Sequence, residues 1–263
     1  MPKDNKIKKR LRNGEAVLGS WLVMPSADVV NVIASTGLDF IIIDMEHGPH
    51  SYTTAADMIR AAETEDCSPL LRVSKNEESL ILKALDLDVH GVIVPHIESK
   101  YDAQNAILYS KYYPQGQRGF SPYTRAGRYS MHNISDHSSV HNNESMVILI
   151  LEGKKGIEEL DDILNIKNIK STIDVIYIGA YDLSQALGMP GKVDHPEVKG
   201  HMEECVKKIR GKGLAAGGYV AKSKEDMIWM YGIGMQFITL LPDCTVLYHA
   251  YENLKNDFKT VIK

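Results

Sequence analysis

The stretch FIIIDMEHGPH, residues 40–50, guides the interpretation of the whole chain. Its apolar part, Phe40–Ile43, predicts a buried β-strand. That strand ends abruptly at Asp44, Glu46 and His47, next to a Gly-Pro turn signal. Three titratable groups at one rim of a sheet cost free energy of folding, so this rim is a candidate functional site.

Short apolar stretches like this one recur along the chain, and each is followed by a segment with a helical pattern. The eight predicted strands are Val17–Val23, Asp39–Asp44, Pro69–Val73, Gly91–Pro95, Met146–Leu151, Asp174–Gly179, Leu214–Val220 and Phe237–Leu241. Unbroken apolar runs are typical of parallel strands that are covered on both faces. Eight strand–helix units in 263 residues predict a closed (β/α)8 TIM barrel rather than an open sheet.

The predicted helices cover about 4–13, 26–35, 51–65, 76–86, 99–110, 156–164, 194–211, 223–232 and 244–260. An irregular segment at about 111–145 interrupts this alternation and is rich in Tyr, Ser, His and Asn. A segment of this length inside a compact domain is usually a functional loop or an assembly element. No linker composition divides the chain, so we expect one domain over residues 1–263.

Composition excludes several classes of protein. The net charge of −4 provides no basic field for nucleic acid and no polybasic membrane anchor. The basic run Lys6–Arg12 is expected to be the solvated face of a first helix. No apolar stretch reaches the roughly 18 residues of a membrane span. Three scattered cysteines without a CxxC motif favour a reducing cytoplasm.

Titratable residues follow several of the predicted strands, and active sites of such barrels lie at the carboxyl ends of the strands. Glu152 and Asp182 end neighbouring strands, which lie about 4.8 Å apart, so their carboxylates can meet. Two carboxylates and several waters are a typical shell for Mg²⁺ or Mn²⁺. The alternative is that both residues are helix N-caps.

His47 and Arg72 complete the candidate site. His47 lies next to Asp44, which can fix its tautomer and keep it basic, although a core histidine without a catalytic role is the alternative. Arg72 ends an apolar strand and needs an anion, either a substrate carboxylate or Glu46. His50 and His96 are alternative metal ligands, but no HxH or HExxH spacing supports them.

These parts suit enolate chemistry on a 2-oxo acid. The cation polarises the carbonyl group, the arginine holds the carboxylate, and a base moves a proton or drives cleavage of a carbon–carbon bond. The chemistry follows from the residue types alone.

The motifs, taken together and in order, resemble those of a known family. They comprise DMEHGPH, Arg72, GVIVPHIES, the segment Tyr112–Phe120, Glu152 and IGAYDLSQALG at residues 178–188. From about residue 14 to residue 255 the chain resembles the HpcH/HpaI aldolases. These are class II metal-dependent enzymes that cleave 4-hydroxy-2-oxo acids, including 2-oxo-3-deoxy acids, to pyruvate and an aldehyde.

The resemblance implies roles for individual residues. It implies a divalent cation on Glu152 and Asp182, either Mg²⁺ or Mn²⁺, with Co²⁺ also suitable. It implies that His47 is the general base and that Asp44 and Asp86 orient it. It implies that Arg72 binds the pyruvyl group and that the backbone around Gly179 and Ala180, with Tyr181 beside it, binds the substrate carboxylate. It also implies a homo-oligomer, a hexamer in which the last helix is exchanged between neighbouring barrels.

The sequence departs from the family pattern at a few positions. Ile150 stands where Gln is frequent, Ala180-Tyr181 replaces a frequent Pro-Ala pair, and Asp88 stands where small residues are frequent. These departures leave the aldehyde partner open. The segment 111–145 has two possible roles. It either recognises an anionic or polyol group at the distal end of the substrate, or it forms a contact between subunits.

Three other functions are alternatives to a metal-dependent aldolase. One is a Schiff-base aldolase that uses Lys75 or Lys222. Another is a carbon–carbon lyase of the citrate-lyase type, which acts on a thioester. The third is a barrel that binds a small molecule without catalysis, although binding alone rarely needs Glu152, Asp182, His47 and Arg72 together.

Overall fold

The computed structural model describes residues 5–131 and 134–262, so the first residue of the predicted helix 4–13 and two residues of the segment 111–145 lie outside it. Its strands are Val17–Leu22 (β1), Phe40–Asp44 (β2), Ser68–Arg72 (β3), Gly91–Ile97 (β4), Met146–Leu151 (β5), Val175–Ile178 (β6), Ala215–Gly218 (β7) and Phe237–Leu240 (β8). They form a closed barrel in chain order. All neighbouring pairs are parallel, including β1 with β8, which confirms the predicted fold.

Helices alternate with the strands and surround the barrel. They are Lys6–Arg12 (α1), Ala27–Ala34 (α2), Tyr52–Thr64 (α3), Glu78–Asp86 (α4), Lys100–Ser110 (α5), His137–Glu144 (α6), Gly153–Glu158 (α7), Leu160–Leu164 (α8), Ile169–Thr172 (α9), Ala180–Ala186 (α10), Pro196–Gly211 (α11), Lys224–Gly232 (α12) and Asp243–Val261 (α13). Several begin at the polar N-caps that the sequence contains, such as Ser26 and Ser51, whose hydroxyl groups accept a backbone N–H of the first turn.

Successive side chains of each strand face alternately into the barrel and toward the helices. On β2, Phe40 and Ile42 belong to the inner core, whereas Ile41 and Ile43 pack in the layer between strands and helices. The inner core contains a stacked pair, Phe40 and Phe237, with ring centroids 4.2 Å apart. Gly19 leaves room for this pair, because a methyl group on it would lie 2.3 Å from Cδ2 of Phe40.

The segment 111–145 is more ordered than the sequence pattern predicted. It contains α6 and two short 3₁₀ turns, Arg128–Ser130 and Ile134–Asp136. The sequence of α6, HSSVHNNE, has no apolar stripe that could reveal it. The helix is held instead by tertiary contacts, since the side chain of Asn142 accepts from the backbone N–H of Tyr112 at 2.7 Å and donates to its carbonyl at 3.0 Å.

This segment lies at the amino end of the barrel, because it connects α5 to the start of β5. There it packs on the ends of preceding helices. Arg125 forms an ion pair with Glu63 of α3, and the backbone N–H of Ala126 donates to the carbonyl of Asp86. The segment is therefore remote from the carboxyl rim of its own barrel. Within one barrel the segment does not reach that rim. Both hypotheses, contact with a distal substrate group and contact between subunits, remain predictions.

Other differences from the predicted elements have a similar cause. The predicted helix 156–164 is divided into α7 and α8, and α10 occupies residues for which no helix was predicted. Helix α1 is not simply a solvated face. Lys8 is buried, and its Nζ lies 3.2 Å from Oδ2 of Asp174, so α1 packs against the amino rim. Short amphipathic segments of this kind depend on tertiary packing more than on local propensity.

None of the helices in the described ranges is both long enough and apolar enough to cross a membrane.

The buried Lys111 ties the two ends of the segment 111–145 together. Its Nζ donates to the carbonyl groups of Asn142, at 2.9 Å, and Ser145, at 2.8 Å. Burial, followed by the nearby charge of Lys8, lowers the pKa of Lys111 from 10.5 to about 7. The side chain therefore holds the segment mainly as a hydrogen-bond donor.

This burial has a measurable consequence. Between pH 7 and pH 10.5 the unfolded chain binds more protons at Lys111 than the folded protein, so the free energy of unfolding should rise with pH in this window. One such group contributes up to about 1.4 kcal/mol per pH unit. We expect Lys111→Met to flatten this rise in urea unfolding curves, whereas Lys75→Met, at an exposed position, should leave it unchanged. An unchanged slope in Lys111→Met would contradict the interpretation.

Candidate active site at the carboxyl ends of the strands

Polar side chains continue the inward-facing rows of the strands at the carboxyl rim. Asp44 follows Phe40 and Ile42 on the inner face of β2, and Glu152 follows Ile150 after β5. This rim contains a cavity of about 360 Å³. The predicted site residues that line it are Asp44, His47, Arg72, Glu152, Gly179, Ala180, Tyr181 and Asp182. The period of two along a strand therefore aims these groups at one space.

Arg72 is held by two carboxylates. Its Nε and Nη2 donate to Oδ1 and Oδ2 of Asp44 at 2.8 and 2.6 Å, and its Nη1 lies 3.0 Å from Oε2 of Glu46. The guanidinium also lies over the ring of Trp21, with Cζ 4.7 Å from the centroid. A guanidinium has five N–H donors, and the bonds to Asp44 use two of them. The contact with Glu46 is an ion pair without a hydrogen bond, since Oε2 of Glu46 has no hydrogen-bond partner among the described residues. Three donors remain for a ligand.

The ion pairs between Arg72 and its carboxylates determine the protonation state of Asp44 and Arg72. Burial alone would raise the pKa of Asp44, but the hydrogen bonds and charge of Arg72 outweigh it, and the pKa of Asp44 is lowered. Burial likewise opposes the charge of Arg72, yet Asp44 and Glu46 raise the pKa of the guanidinium. Both groups are therefore ionised around neutral pH. The sequence left open which anion pairs with Arg72, and in the structure Glu46 does so together with Asp44.

Glu152 and Asp182 converge around Gly179. A methyl group on Gly179 would lie 3.3 Å from Cγ of Glu152 and 3.7 Å from Oδ2 of Asp182. Neither carboxylate acts as a helix cap. Glu152 precedes α7 without a side-chain capping bond, and Asp182 lies inside the first turn of α10. Burial raises the pKa of Glu152, contacts with His96 oppose this, and the charges of Glu46 and Asp182 raise the pKa further.

His47 is exposed at the mouth of the cavity. Asp44 accepts the backbone N–H of His47 at 3.3 Å, so it orients the loop that carries the imidazole. Within the described part of the chain the imidazole itself has no hydrogen-bond partner. The expected bond between the Asp44 carboxylate and the His47 ring is therefore not formed here. His50 is bound elsewhere, with Nε2 3.2 Å from the carbonyl oxygen of Leu22.

Asp86 is misplaced for the role that the resemblance implied. It is the last residue of α4, close to the start of β4, and so it lies at the amino rim of its own barrel. Its carboxylate accepts from Nη2 of Arg118 at 2.8 Å. Within one chain the structure does not bring Asp86 to His47, because a helix of the barrel runs antiparallel to the strands and ends at the opposite rim. The role that the resemblance implies for Asp86 stays a prediction.

The sequence interpretation missed other residues of the cavity. Tyr177 and Tyr219 both line it. The hydroxyl group of Tyr177 donates to the carbonyl of Tyr219 at 3.0 Å and lies 2.9 Å from the hydroxyl of Thr239. Alternation along β6 could have identified Tyr177 as inward-facing. Tyr219 lies near the end of the predicted seventh strand, at the carboxyl rim, but its position also depends on a backbone φ of +63° after the end of β7.

The two lysines considered for Schiff-base chemistry lie outside the cavity lining. Nζ of Lys75 lies 4.0 Å from Glu77, with the lysine side chain 70% exposed. Nζ of Lys222 donates to Asp194 at 3.1 Å. Both lysines lie outside the cavity and pair with surface carboxylates, which argues against covalent catalysis through either one.

The site therefore defines a class of protein, a (β/α)8 barrel with carboxylates, an arginine and a histidine around one rim cavity. Residues 18–250 match the model of a family described as HpcH/HpaI aldolase/citrate lyase. The chain belongs to this family, and the resemblance deduced from its motifs is confirmed.

The relatives support the same conclusion. A pyruvate aldolase of Rhizobium etli is 27% identical, covering 97% of this chain and 98% of its own length. A 2-keto-3-deoxy-L-rhamnonate aldolase of Salmonella paratyphi A is 30% identical, covering 98% and 94%. The crystal structure of citrate synthase SbnG superposes with a TM-score of 0.86 at 30% identity, covering 97% and 98%. The predicted aldolase function and enzyme class, a carbon–carbon lyase, are confirmed.

The Asp44–Arg72 pair predicts a pH-dependent stability. We expect Asp44→Asn to lower the free energy of unfolding at pH 7 by about 2 kcal/mol, because a buried guanidinium loses a charged partner. The pKa of Asp44 is lowered from 3.8 in the folded protein, so this stabilisation is present above pH 3.8 and is lost as the pH falls further.

Urea unfolding at neutral and acid pH measures the effect. The difference between the unaltered protein and Asp44→Asn should shrink in acid. Asp57→Asn, which removes half of an exposed pair with Arg60, is the matched control and should change little at either pH. A deficit in Asp44→Asn that is the same at both pH values would contradict the assignment.

Proposed function

We propose that the protein is a metal-dependent pyruvate aldolase that reversibly cleaves a 4-hydroxy-2-oxo acid of the 2-oxo-3-deoxy type. The products are pyruvate and an aldehyde. The observation that carries this proposal is the position of Arg72 and the Glu152–Asp182 pair on the wall of one cavity. The activities for which the two aldolase relatives are named support the same substrate class.

A divalent cation fits the chemistry of Glu152 and Asp182. Their oxygen atoms are hard donors, and their mutual repulsion contributes to the raised pKa of Glu152. In residues 5–131 and 134–262, no group of three or more His, Cys, Asp and Glu side chains is arranged to hold a metal. The pair would therefore supply part of a coordination shell, with substrate and water completing it. A bound cation supplies Lewis-acid polarisation of the 2-oxo group.

Arg72 and the start of α10 bind the pyruvyl half of the substrate. The N–H groups of Arg72 that Asp44 leaves free can donate to the oxygens of the 2-oxo acid. The first N–H groups of α10, after Gly179, have no partner within the helix. They suit the substrate carboxylate, and Gly179 and Ala180 line the cavity at this point.

His47 is the base that removes the proton of the substrate's 4-hydroxyl group. Removal of this proton turns the C4–O bond into a carbonyl, the C3–C4 bond breaks, and its electron pair forms the enolate of pyruvate. Protonation at C3 then gives pyruvate, and the aldehyde leaves. The exposed position of His47 at the mouth suits proton exchange with solvent. Tyr181, 52% exposed, stands where the aldehyde half would lie.

Chelation and substitution test this assignment together. We expect EDTA to abolish pyruvate release from 2-oxo-3-deoxy acids and Mg²⁺, Mn²⁺ or Co²⁺ to restore it. His47→Gln should lower kcat by about 10²- to 10⁴-fold, while Mn²⁺ binding is retained. His201→Gln, on α11, is the control and should leave kcat unchanged. Full activity after removal of divalent ions would sink the proposal.

A lyase of the citrate type is a second candidate. The similarity to citrate synthase SbnG favours it. Product analysis separates the two functions. Pyruvate and an aldehyde identify the aldolase, whereas formation or cleavage of citrate or a related tricarboxylic acid identifies the second function.

The exposed face of α13 supports the proposal of a homo-oligomer. Asp243 is its buried residue, and it ties the start of the helix to the backbone N–H groups of Val23 and Met24 at 3.0 Å each. Large apolar side chains then follow at helical spacing on one exposed face: Leu247, Tyr251, Leu254, Phe258 and Val261. An apolar groove of about 510 Å³ lies between α13 and α2. We infer exchange of α13 between neighbouring barrels, in a hexamer.

Sedimentation velocity tests the assembly. We expect Leu254→Glu to dissociate the assembly, because it places a charge in the centre of the apolar face. Lys255→Glu, one residue along the same helix, should leave the mass unchanged. An unaltered protein that sediments as a monomer would contradict the inference.

A cytoplasmic location, in keeping with the free thiols of Cys67, Cys205 and Cys244, belongs to the same proposal.

A further inference from the structure

His96 occupies a distorted position in β4. The pairing of β4 with β5 runs from Val94 with Leu149 to Ile97 with Leu151, so β4 contains one extra residue at this point. The extra residue makes a β-bulge at His96, whose φ is +57°. A non-glycine residue pays a conformational cost for this backbone. Bulges near active sites often change the direction of a side chain, so this bulge bears on the direction of the His96 imidazole.

The bulge places His96 between two carboxylates of the site. Its Nε2 lies 2.7 Å from Oε1 of Glu46, and its Nδ1 lies 3.7 Å from Oε2 of Glu152. Its backbone N–H donates to Oε1 of Glu152 at 3.2 Å. The imidazole is 54% exposed, whereas the carboxylates beneath it are 10% and 14% exposed. His96 therefore covers the solvent side of both.

Both oxygens of Glu152 consequently face His96. Among the described residues no other group donates a hydrogen bond to this carboxylate, and Glu152 makes no capping bond to α7. The contacts with His96 are thus what limits rotation of the Glu152 side chain. The same imidazole binds Glu46, which lies 3.0 Å from Nη1 of Arg72. A chain of contacts runs from Asp44 through Arg72, Glu46 and His96 to Glu152.

We propose that His96 is a positioning residue that fixes the orientation of the Glu152 carboxylate toward a divalent cation and couples it, through Glu46, to Arg72. The inference rests on the proposed function, since it requires Glu152 to be a cation ligand. His96 is not assigned as a third ligand, because in the described residues no group of three or more His, Cys, Asp and Glu side chains is arranged to hold a metal. Groups that hold metal ligands in place commonly change metal affinity by 10- to 100-fold when removed.

Binding of Mn²⁺ without substrate tests the inference independently of turnover. The full-length protein is titrated with Mn²⁺, and free Mn²⁺ is measured by electron paramagnetic resonance. His96→Gly tolerates the positive φ and keeps the backbone N–H donor, so it removes the imidazole alone. We expect it to weaken Mn²⁺ binding about tenfold or more, and catalysis at limiting Mn²⁺ should fall in parallel and recover at saturating Mn²⁺.

His47→Gln is the matched control, because it alters the other exposed histidine of the rim and should leave the Kd of Mn²⁺ unchanged. If the glycine variant does not fold, His96→Asn serves, since asparagine also tolerates a left-handed backbone and is too short to bridge Glu46 and Glu152. A variant of His96 that binds Mn²⁺ as tightly as the unaltered protein overturns the inference. Failure of the unaltered protein to bind Mn²⁺ overturns the proposed function instead.

Discussion

The crowding of carboxylates at one rim of the barrel is the constraint on which the rest of the site depends. Asp44, Glu46, Glu152 and Asp182 all lie around or just behind one cavity. Arg72 contacts two of them and holds the pKa of Asp44 low, whereas the pKa of Glu152 is raised by burial and by its acidic neighbours. Such an arrangement opposes folding unless a further cation joins it, and proteins tolerate this mainly at functional sites.

The barrel interior supplies the platform for these charges. Trp21 and Tyr177 pack edge to face with centroids 5.8 Å apart, below the guanidinium of Arg72. Farther down, the stacked pair of Phe40 and Phe237 fills the barrel. This apolar filling removes water from one side of the charged groups. Their interactions are consequently stronger than at an open surface, and their positions are fixed by close packing.

The sequence was sufficient for features that depend on local pattern. Apolar runs such as MVILIL located the ends of all eight strands to within two residues. The alternation of strands with helices predicted the closed barrel. Residues at strand ends, including Arg72 and Glu152, were found because every parallel strand delivers its last inward side chain to the same rim. Asp86 does not join the other site residues within one chain, because the end of a helix lies at the other rim. Helix α6 was missed because its polar sequence is held by tertiary hydrogen bonds.

The sequence by itself determined the fold class, the family and the residues able to carry charge at the rim, since hydrophobic periodicity and strand order are encoded locally. Only the tertiary structure decided which of these residues meet. It paired Arg72 with both Asp44 and Glu46, brought Glu152 and Asp182 together around Gly179, and placed His96 between Glu46 and Glu152. The physical reason is that these contacts join residues far apart in the chain, through a bulge and a helix start that no local pattern specifies.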